Sequence, residues 1–281
     1  MMPALAHERE HRGWQARLAV RFGDHRGRTV VREREHQGPL QVQRAFYPEG
    51  PELCHLYLLH PPGGLVAGDR LAISIDVDPA ARALVTTPAA GKVYRGDDRP
   101  PAAVRQHLRV EAGASLEWFP QETIVFQGGR VELETRVELA EGAAFLGWEL
   151  ACLGLPAAGE AFERGSCRQH FELWRAGRPL CLERARFDGG ATALGARWGL
   201  AGAPVTATLL AAPVAGPLDG IRALGVEAPD LASATLLDDV LVCRYLGASA
   251  ERARRHFARV WELVRPALIG RPSHSPRIWS T

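Results

Sequence analysis

ISIDVDPAARALVTTP, residues 73–88, consists of an alternating strand, a short turn and a more apolar strand. Two later segments have the same shape, QHLRVEAGASLEWFP at 106–120 and ETRVELAEGAAFLGWE at 134–149. Their turns recur about every thirty residues, a spacing typical of stacked repeats. We therefore predict hairpin-like units that stack along one axis. An ordinary antiparallel meander is the alternative, because it uses the same turn residues.

The regions on either side of these units also show strand patterns. Apolar and polar residues alternate at 14–22 and 71–77, which is typical of half-buried strands. Later strands are predicted at 168–175, 180–187, 204–212 and 239–246. The chain is therefore expected to be rich in strands almost to its end.

Helical spacing is convincing only near the C-terminus. Ser249 can cap a helix that ends before Pro266, so a helix is predicted at about 249–265. A shorter helix is expected at 218–224, and the proline-punctuated tail, 271–281, is expected to be extended. The predicted fold class is mainly β, a helicoidal stack of β-hairpin-like units with one or two C-terminal helices.

The chain length of 281 residues allows one large all-β domain or two small ones. We favour a single domain over residues 1–281. The formal net charge is +2, with 34 basic and 32 acidic residues interspersed, so no basic patch indicates nucleic acid. The positive charge is nearly all arginine. Lys92 is the only lysine, which hints that its position requires a compact ammonium group.

The number and spacing of the cysteines indicate the cellular compartment of the protein. There are five, widely spaced and without a CxxC pair, which favours reduced thiols in a cytosolic protein. The N-terminus is charged where a signal peptide needs apolar residues, and no run approaches a membrane span. We expect a soluble cytoplasmic protein with no membrane partner.

A conspicuous corner lies within residues 36–69. The apolar run at 57–59 stops at PPGG, residues 61–64, because proline cannot donate to a sheet and glycine admits positive φ. The return segment ends at Asp69. Three interpretations remain open: a plain hairpin corner, an anion nest of backbone N–H groups, or a carboxylate that faces a cavity.

Motifs of common enzyme and metal sites are missing from the sequence. It contains no HExxH, CxxC, GxSxG or Walker A motif, and no GxGxxG between a strand and a helix. Acidic residues that a strand interior could hold are Asp69, Glu117, Glu122, Glu149 and Glu183. Glu183 is expected to pair with Arg184 or Arg186. If some of these carboxylates line a channel instead, they offer weak oxygen sites that let a divalent ion pass.

Several motifs resemble the urease accessory protein UreD (UreH) family, and they run nearly end to end. They are HQGPLQVQRAFYPEG at 36–50, CHLYLLHPPGGLVAGD at 54–69, TTPAAGKVYR at 86–95, LEWFPQETIVF at 116–126, LGWELACLGLPAAGEAF at 146–162 and PRIWST at 276–281. The resemblance implies a cytosolic, mainly β helicoidal scaffold and no catalytic activity of its own.

The resemblance also implies partners and a cargo. The protein would bind urease apoprotein and, with UreF-like and UreG-like proteins, help to deliver Ni²⁺ through an internal passage. Asp69, Glu149 and Glu183 match acidic positions proposed for that passage. Gly91 stands where relatives often have serine or threonine, which removes a possible polar lining group. No tightly bound cofactor and no small-molecule substrate are expected.

Two other functions stay open from the sequence. One is a hydrolase or transferase with a cleft at the HPPGG corner and Asp69 or Glu122 as the base, although no nucleophile or histidine is placed beside them. The other is a β scaffold that binds protein and never touches metal.

Overall fold

Strands make up most of the regular structure in the computed structural model, which describes residues 13–96, 98–214 and 218–280. In chain order they are β1 (Gln15–His25), β2 (Arg28–Gln37), β3 (Gln41–Val42), β4 (Leu53–Leu59), β5 (Arg70–Val77), β6 (Arg82–Thr86), β7 (Gly91–Val93), β8 (Ala102–Val110), β9 (Ser115–Phe119), β10 (Thr123–Val125), β11 (Arg130–Leu139), β12 (Ala144–Leu153), β13 (Ser166–Arg175), β14 (Arg178–Asp188), β15 (Val205–Ala212), β16 (Leu231–Leu237) and β17 (Val240–Gly247). The α-helices are α1 (Thr192–Gly195), α2 (Leu218–Ala223) and α3 (Ala250–Ile269). The charged N-terminus and Thr281 lie outside the described residues.

The strands form two sheets that face each other. One has seven strands in the order β14-β13-β11-β8-β5-β1-β2, and the other has ten, with the main order β16-β17-β15-β12-β9-β6-β4-β3. Apolar side chains from the facing surfaces form one continuous cluster that includes Leu18, Ile75, Leu116 and Phe145. This sandwich interior is where the candidate site lies.

The repeating units predicted from the sequence are present, and the mainly β stack is confirmed. The strands β5, β8 and β11 pair in parallel in one sheet, while β6, β9 and β12 pair in parallel in the other. The two strands of a unit therefore face each other across the core instead of pairing as a hairpin does. Each unit thus contributes one strand to either side of the core, and the apolar faces of the two strands pack toward each other.

The same turn connects the two strands of each unit. The turns cover residues 78–81, 111–114 and 140–143, and in each the fourth N–H donates to the first carbonyl. The third residue has positive φ in all three, namely Ala80, Gly113 and Gly142. A short turn of this kind can reverse a hairpin or carry the chain into a second sheet, which explains why the sequence pattern did not distinguish them.

The two ends of the sandwich differ in their connections. The tight turns lie at one end, whereas longer segments join the strands at the other, at 60–69, 87–101, 120–129 and 154–165. Long loops on a rigid scaffold are where binding residues concentrate. The HPPGG corner belongs to this long-loop end.

Helix α3 covers the outer face of the ten-stranded sheet. Ser249 caps it as predicted, accepting a hydrogen bond from the N–H of Arg252. The helix does not stop at Pro266 but continues to Ile269, because Ile269 is buried and Gly270 ends the last turn with positive φ. No helix in the described parts of the chain is long and apolar enough to cross a membrane.

The C-terminal tail is anchored on the same face. It is not extended throughout, since Arg277–Ser280 forms a 3₁₀ turn. The indole of Trp279 donates to Thr86 Oγ1 at 3.0 Å and packs beside Phe119 and Trp148. These contacts anchor the tail to the outer face of the sheet.

Candidate functional site

A cavity of about 410 Å³ lies between the sheets at the long-loop end. The HPPGG corner forms part of its wall through Pro61 and Gly64, and most of the remaining wall is apolar. The polar side chains on the wall are His60, Thr87, Lys92, Gln106, Gln121 and Thr123. The single lysine of the chain, Lys92, lies on the wall of this cavity. A cavity of this size can hold a small ligand or several waters.

Asp69 lies beside this cavity but serves the turn. Its side chain is buried, and Oδ1 accepts the N–H of Trp14 at 2.7 Å while Oδ2 accepts the N–H of Val66 at 2.8 Å. In the corner, Val66 thus donates to Asp69, whereas the N–H groups of Gly63, Leu65 and Gly68 donate to backbone carbonyls, so no free anion nest is present there. Of the three interpretations of this corner, the structure supports a turn stabilised by the aspartate.

Replacing Asp69 is therefore expected to weaken the fold. Asp69→Ala leaves the N–H groups of Trp14 and Val66 without their acceptor, a loss of about 3 kcal/mol in the free energy of unfolding. Urea denaturation would measure the loss. Asp98→Ala removes an exposed carboxylate on a neighbouring loop and is the matched control. Equal stability of the two variants would contradict the assigned role.

Glu149 lies deep between the sheets. It projects inward from β12 and meets the opposite sheet, where Thr135 Oγ1 contacts Oε1 and Gln169 Nε2 donates to Oε2 at 2.7 Å. Burial removes water from the ionised carboxylate and raises the pKa of Glu149 to about 7, against the opposing effect of these two hydrogen bonds. The carboxyl therefore keeps its proton to a higher pH than an exposed glutamate does.

A hydrogen-bonded chain joins Glu149 to the cavity. Gln106 lines the cavity, and its Oε1 accepts a bond from Thr135 Oγ1 at 2.7 Å. The Thr135 hydroxyl has one proton but contacts two acceptors, Gln106 and Glu149. A protonated Glu149 resolves this, because it donates to Thr135, which donates to Gln106.

Glu183 lies at the side of the sandwich, where the gap between the sheets opens. It projects inward from β14 and pairs with Arg244 of the opposite sheet, whose Nε donates to Oε2 at 3.3 Å and whose Nη2 donates to Oε1. The Glu183 side chain is 28% exposed. The pair therefore sits between the interior and solvent.

The expected pairing of Glu183 with Arg184 or Arg186 is wrong. Alternation along β14 turns those arginines to the outer face, where Arg184 donates to Glu172 and Arg186 donates to Asp188. Sequence neighbours on a strand point to opposite faces, so the true partner comes from a strand that is distant in sequence.

The strand register places Thr208 between Glu149 and the partner of Glu183, Arg244. Thr208, on β15, lies opposite Glu149 and, on its other side, opposite Arg244 on β17. We call the resulting set the interior polar row, and its members are Gln106, Thr135, Glu149, Gln169, Thr208, Arg244 and Glu183. The row leads from the cavity to the open side of the sandwich, and the structure thus brings Glu149 and Glu183 into one feature.

Asp69 is at the far side of the cavity and is not part of the row. Its charge acts on His60, a cavity residue whose pKa is lowered by burial, with Asp69 opposing that shift. The described residues include no group of three or more His, Cys, Asp or Glu side chains that could hold a metal ion.

Several members of the row were missed in the sequence. Gln106, Thr135 and Gln169 occupy strand positions whose neighbours two residues away are mostly buried and apolar. The sequence therefore did contain a signal for these residues, because a polar residue stood at a strand position that faces inward. Arg244, in the middle of β17, gives a weaker signal, because the long side chain of an arginine on a strand usually reaches solvent.

The hydrolase or transferase alternative is wrong. Both carboxylate oxygens of Asp69 are held by backbone N–H groups, and Glu122 pairs with Arg254 at 3.3 Å. Neither is placed as a free base. The cleft at the corner exists, but the residues proposed to act in it serve the structure.

Comparison with known proteins identifies the family. The family model described as "UreD urease accessory protein" matches residues 15–280. The chain is 46% identical to a urease accessory protein UreD of Azoarcus sp. (strain BH72), over 96% of this chain and 95% of that protein. It is 42% identical to UreD proteins of Citrobacter koseri, over 100% and 96%, and of Nostoc sp., over 96% and 97%.

These matches extend over nearly the full length of the chain, and they agree with the motifs that carried the resemblance. The family is one of accessory proteins and not of catalytic enzymes. The stacked β architecture and the interior polar row are therefore features of an accessory protein of urease maturation. The chain belongs to the UreD family of urease accessory proteins.

Proposed function

We propose that this protein is a cytoplasmic scaffold that helps to insert nickel into urease. It binds urease apoprotein and acts together with UreF-like and UreG-like accessory proteins. The observation that carries the proposal is the interior polar row, which connects the cavity at the long-loop end with the open side of the sandwich. Nickel is the cargo of this row and not a resident cofactor.

The separation of Glu149 from Glu183 suits the transfer of a Ni²⁺ ion more than its tight binding. Glu149 and Glu183 occur singly, each with neutral or cationic neighbours, so neither belongs to a complete ligand set for a divalent ion. A Ni²⁺ ion needs several donors for tight binding, and single oxygen ligands hold it weakly. Weak sites in series let an ion enter and leave.

Charge changes at Glu149 support this role. Its pKa of about 7 lets the carboxyl lose its proton at little cost when a cation arrives. The entering ion then replaces a proton, so the empty row carries less uncompensated negative charge than an ordinary carboxylate would give it. At the other end, Arg244 neutralises Glu183 and must release it when an ion passes.

A paired substitution tests the passage. Glu149→Gln with Glu183→Gln keeps the shape of both side chains but removes their charge. Co-expressed with urease and the UreF-like and UreG-like proteins, this variant is expected to lower the nickel content and activity of urease roughly tenfold, the loss typical when a group that supports a metal site is removed. Pull-down of the complex would show that assembly is intact.

The matched control is Glu111→Gln with Glu141→Gln. Both lie exposed in tight turns at the opposite end of the sandwich, and the charge change is the same. Unchanged nickel content in the interior variant, with the complex still formed, would refute the passage. That outcome would leave a scaffold that binds protein without touching metal.

A further inference from the structure

The terminal strands of the two sheets differ in how they are protected. The seven-stranded sheet ends at β2 and β14, and the main path of the ten-stranded sheet ends at β3 and β16. Strand β2 carries alternating charges, β14 carries Pro179 and several charges, and β3 is two residues long. These are standard devices against edge-to-edge pairing.

The sequence of strand β16 itself carries none of these devices. Its sequence is LASATLL, without charge, proline or glycine, and it pairs with β17 in unbroken register. Leu231 is 61% exposed and Leu237 is 46% exposed. A seven-residue uncharged edge of this kind is a template for another strand.

The free backbone groups of β16 can be identified. The guanidinium of Arg222, in α2, donates to the carbonyl of Ala234 at 3.2 Å, which places that carbonyl on the side away from β17. By alternation, the N–H and carbonyl groups of Ala232 and Leu236 point the same way. The Arg222 side chain is 54% exposed, and a carbonyl can accept two hydrogen bonds, so this contact leaves room for a second donor at Ala234.

The edge is self-complementary about Ala234. In an antiparallel pair with a second copy, Ala234 meets its own equivalent, and Ala232 meets Leu236, both as hydrogen-bonded pairs. Ser233 then meets Thr235 and Leu231 meets Leu237, each occurring twice. Such a twofold contact needs the same surface on both partners, and hydroxyl pairs and leucine pairs stabilise antiparallel strands.

We propose that β16 joins two copies of this chain into a dimer, by antiparallel pairing centred on Ala234. The occupant of the edge is a second copy, because the sequence of β16 matches itself in reverse. The proposal concerns self-association and is independent of nickel transfer. Its failure leaves the proposed function intact, since neither urease nor nickel takes part in the test.

A charge-swap experiment on the full chain tests the pairing. One variant is Ser233→Lys with Thr235→Lys, and the other is Ser233→Glu with Thr235→Glu. In a dimer of either variant, like charges oppose each other twice, so we expect the dissociation constant to rise roughly thirtyfold. In an equimolar mixture the charges are complementary, and dimers are expected to return. Sedimentation equilibrium over a range of concentrations measures all three samples.

Two further variants separate a specific effect at β16 from a general effect of added charge. Gln15→Lys with Gln37→Lys adds the same charge at exposed strand positions elsewhere and should dimerise like the unmodified protein. Ala232→Pro removes one outward N–H but no bond to β17, and should weaken the dimer, while thermal unfolding reports whether it folds. A monomeric unmodified protein, dimers unaffected by the lysines, or a mixture that stays monomeric would overturn the proposal.

Discussion

Glu149→Gln is expected to stabilise the protein by about 3 kcal/mol at pH 8 and by less than about 1 kcal/mol at pH 5. The cause is burial, which raises the pKa of Glu149 to about 7. An unfolded chain releases this proton from about pH 4.5 upward, whereas the folded protein retains it until about pH 7. The free energy of unfolding therefore falls as pH rises through that window, and it stays low above it.

Glutamine removes this dependence without changing the shape of the side chain. Its amide can donate to Thr135 and accept from Gln169, as the protonated carboxyl does. Urea unfolding at several pH values, with a chelator present, measures the difference between the two proteins. Glu141→Gln is the control, because Glu141 is exposed. A difference that does not grow with pH would contradict the assignment.

The same variant separates stability from function. If Glu149→Gln alone is more stable at neutral pH yet lowers nickel insertion, misfolding does not explain the failure. A buried carboxyl that lowers stability at the working pH would then have a functional reason.

Arg265→Met is expected to destabilise the protein by about 4 kcal/mol. Arg265 is completely buried in α3 and donates to two carboxylates, Glu117 at 2.9 Å and Glu49 at 2.7 Å. Burial alone would raise the pKa of Glu49, but hydrogen bonds from His55 and Arg265 outweigh it and lower the pKa to about 2. Removing the guanidinium leaves two acidic groups without their counter-charge.

Chemical denaturation measures this loss, and α3 supplies its own control. Arg255→Met removes an exposed arginine whose ion pair with Glu251 contributes little. Adding Glu117→Gln to Arg265→Met is expected to recover part of the stability, because one uncompensated carboxylate disappears. If Arg265→Met costs no more than Arg255→Met, the ion cluster does not hold the helix to the sheet.

Much of the fold could be predicted from local patterns. Alternation located the strands of the stacked units, and Ser249 marked the start of α3. The pairing within a unit was not predictable in the same way, because residues 78–81 form a turn that suits either a hairpin or a step into another sheet. The end of α3 was misjudged for a related reason. Pro266 breaks an isolated helix, but burial of the last turn keeps it helical here.

The same distinction between local patterns and long-range contacts applies to the candidate site. The sequence itself determined the strand content, the stacked units, the positions of single buried carboxylates such as Glu149, and the family. Only the tertiary structure decided that Asp69 holds a turn, that Glu183 pairs with Arg244, and that Glu149 joins the cavity through Thr135. The physical reason is range. Alternation and turn chemistry act between close neighbours, whereas these contacts cross between two sheets and depend on register.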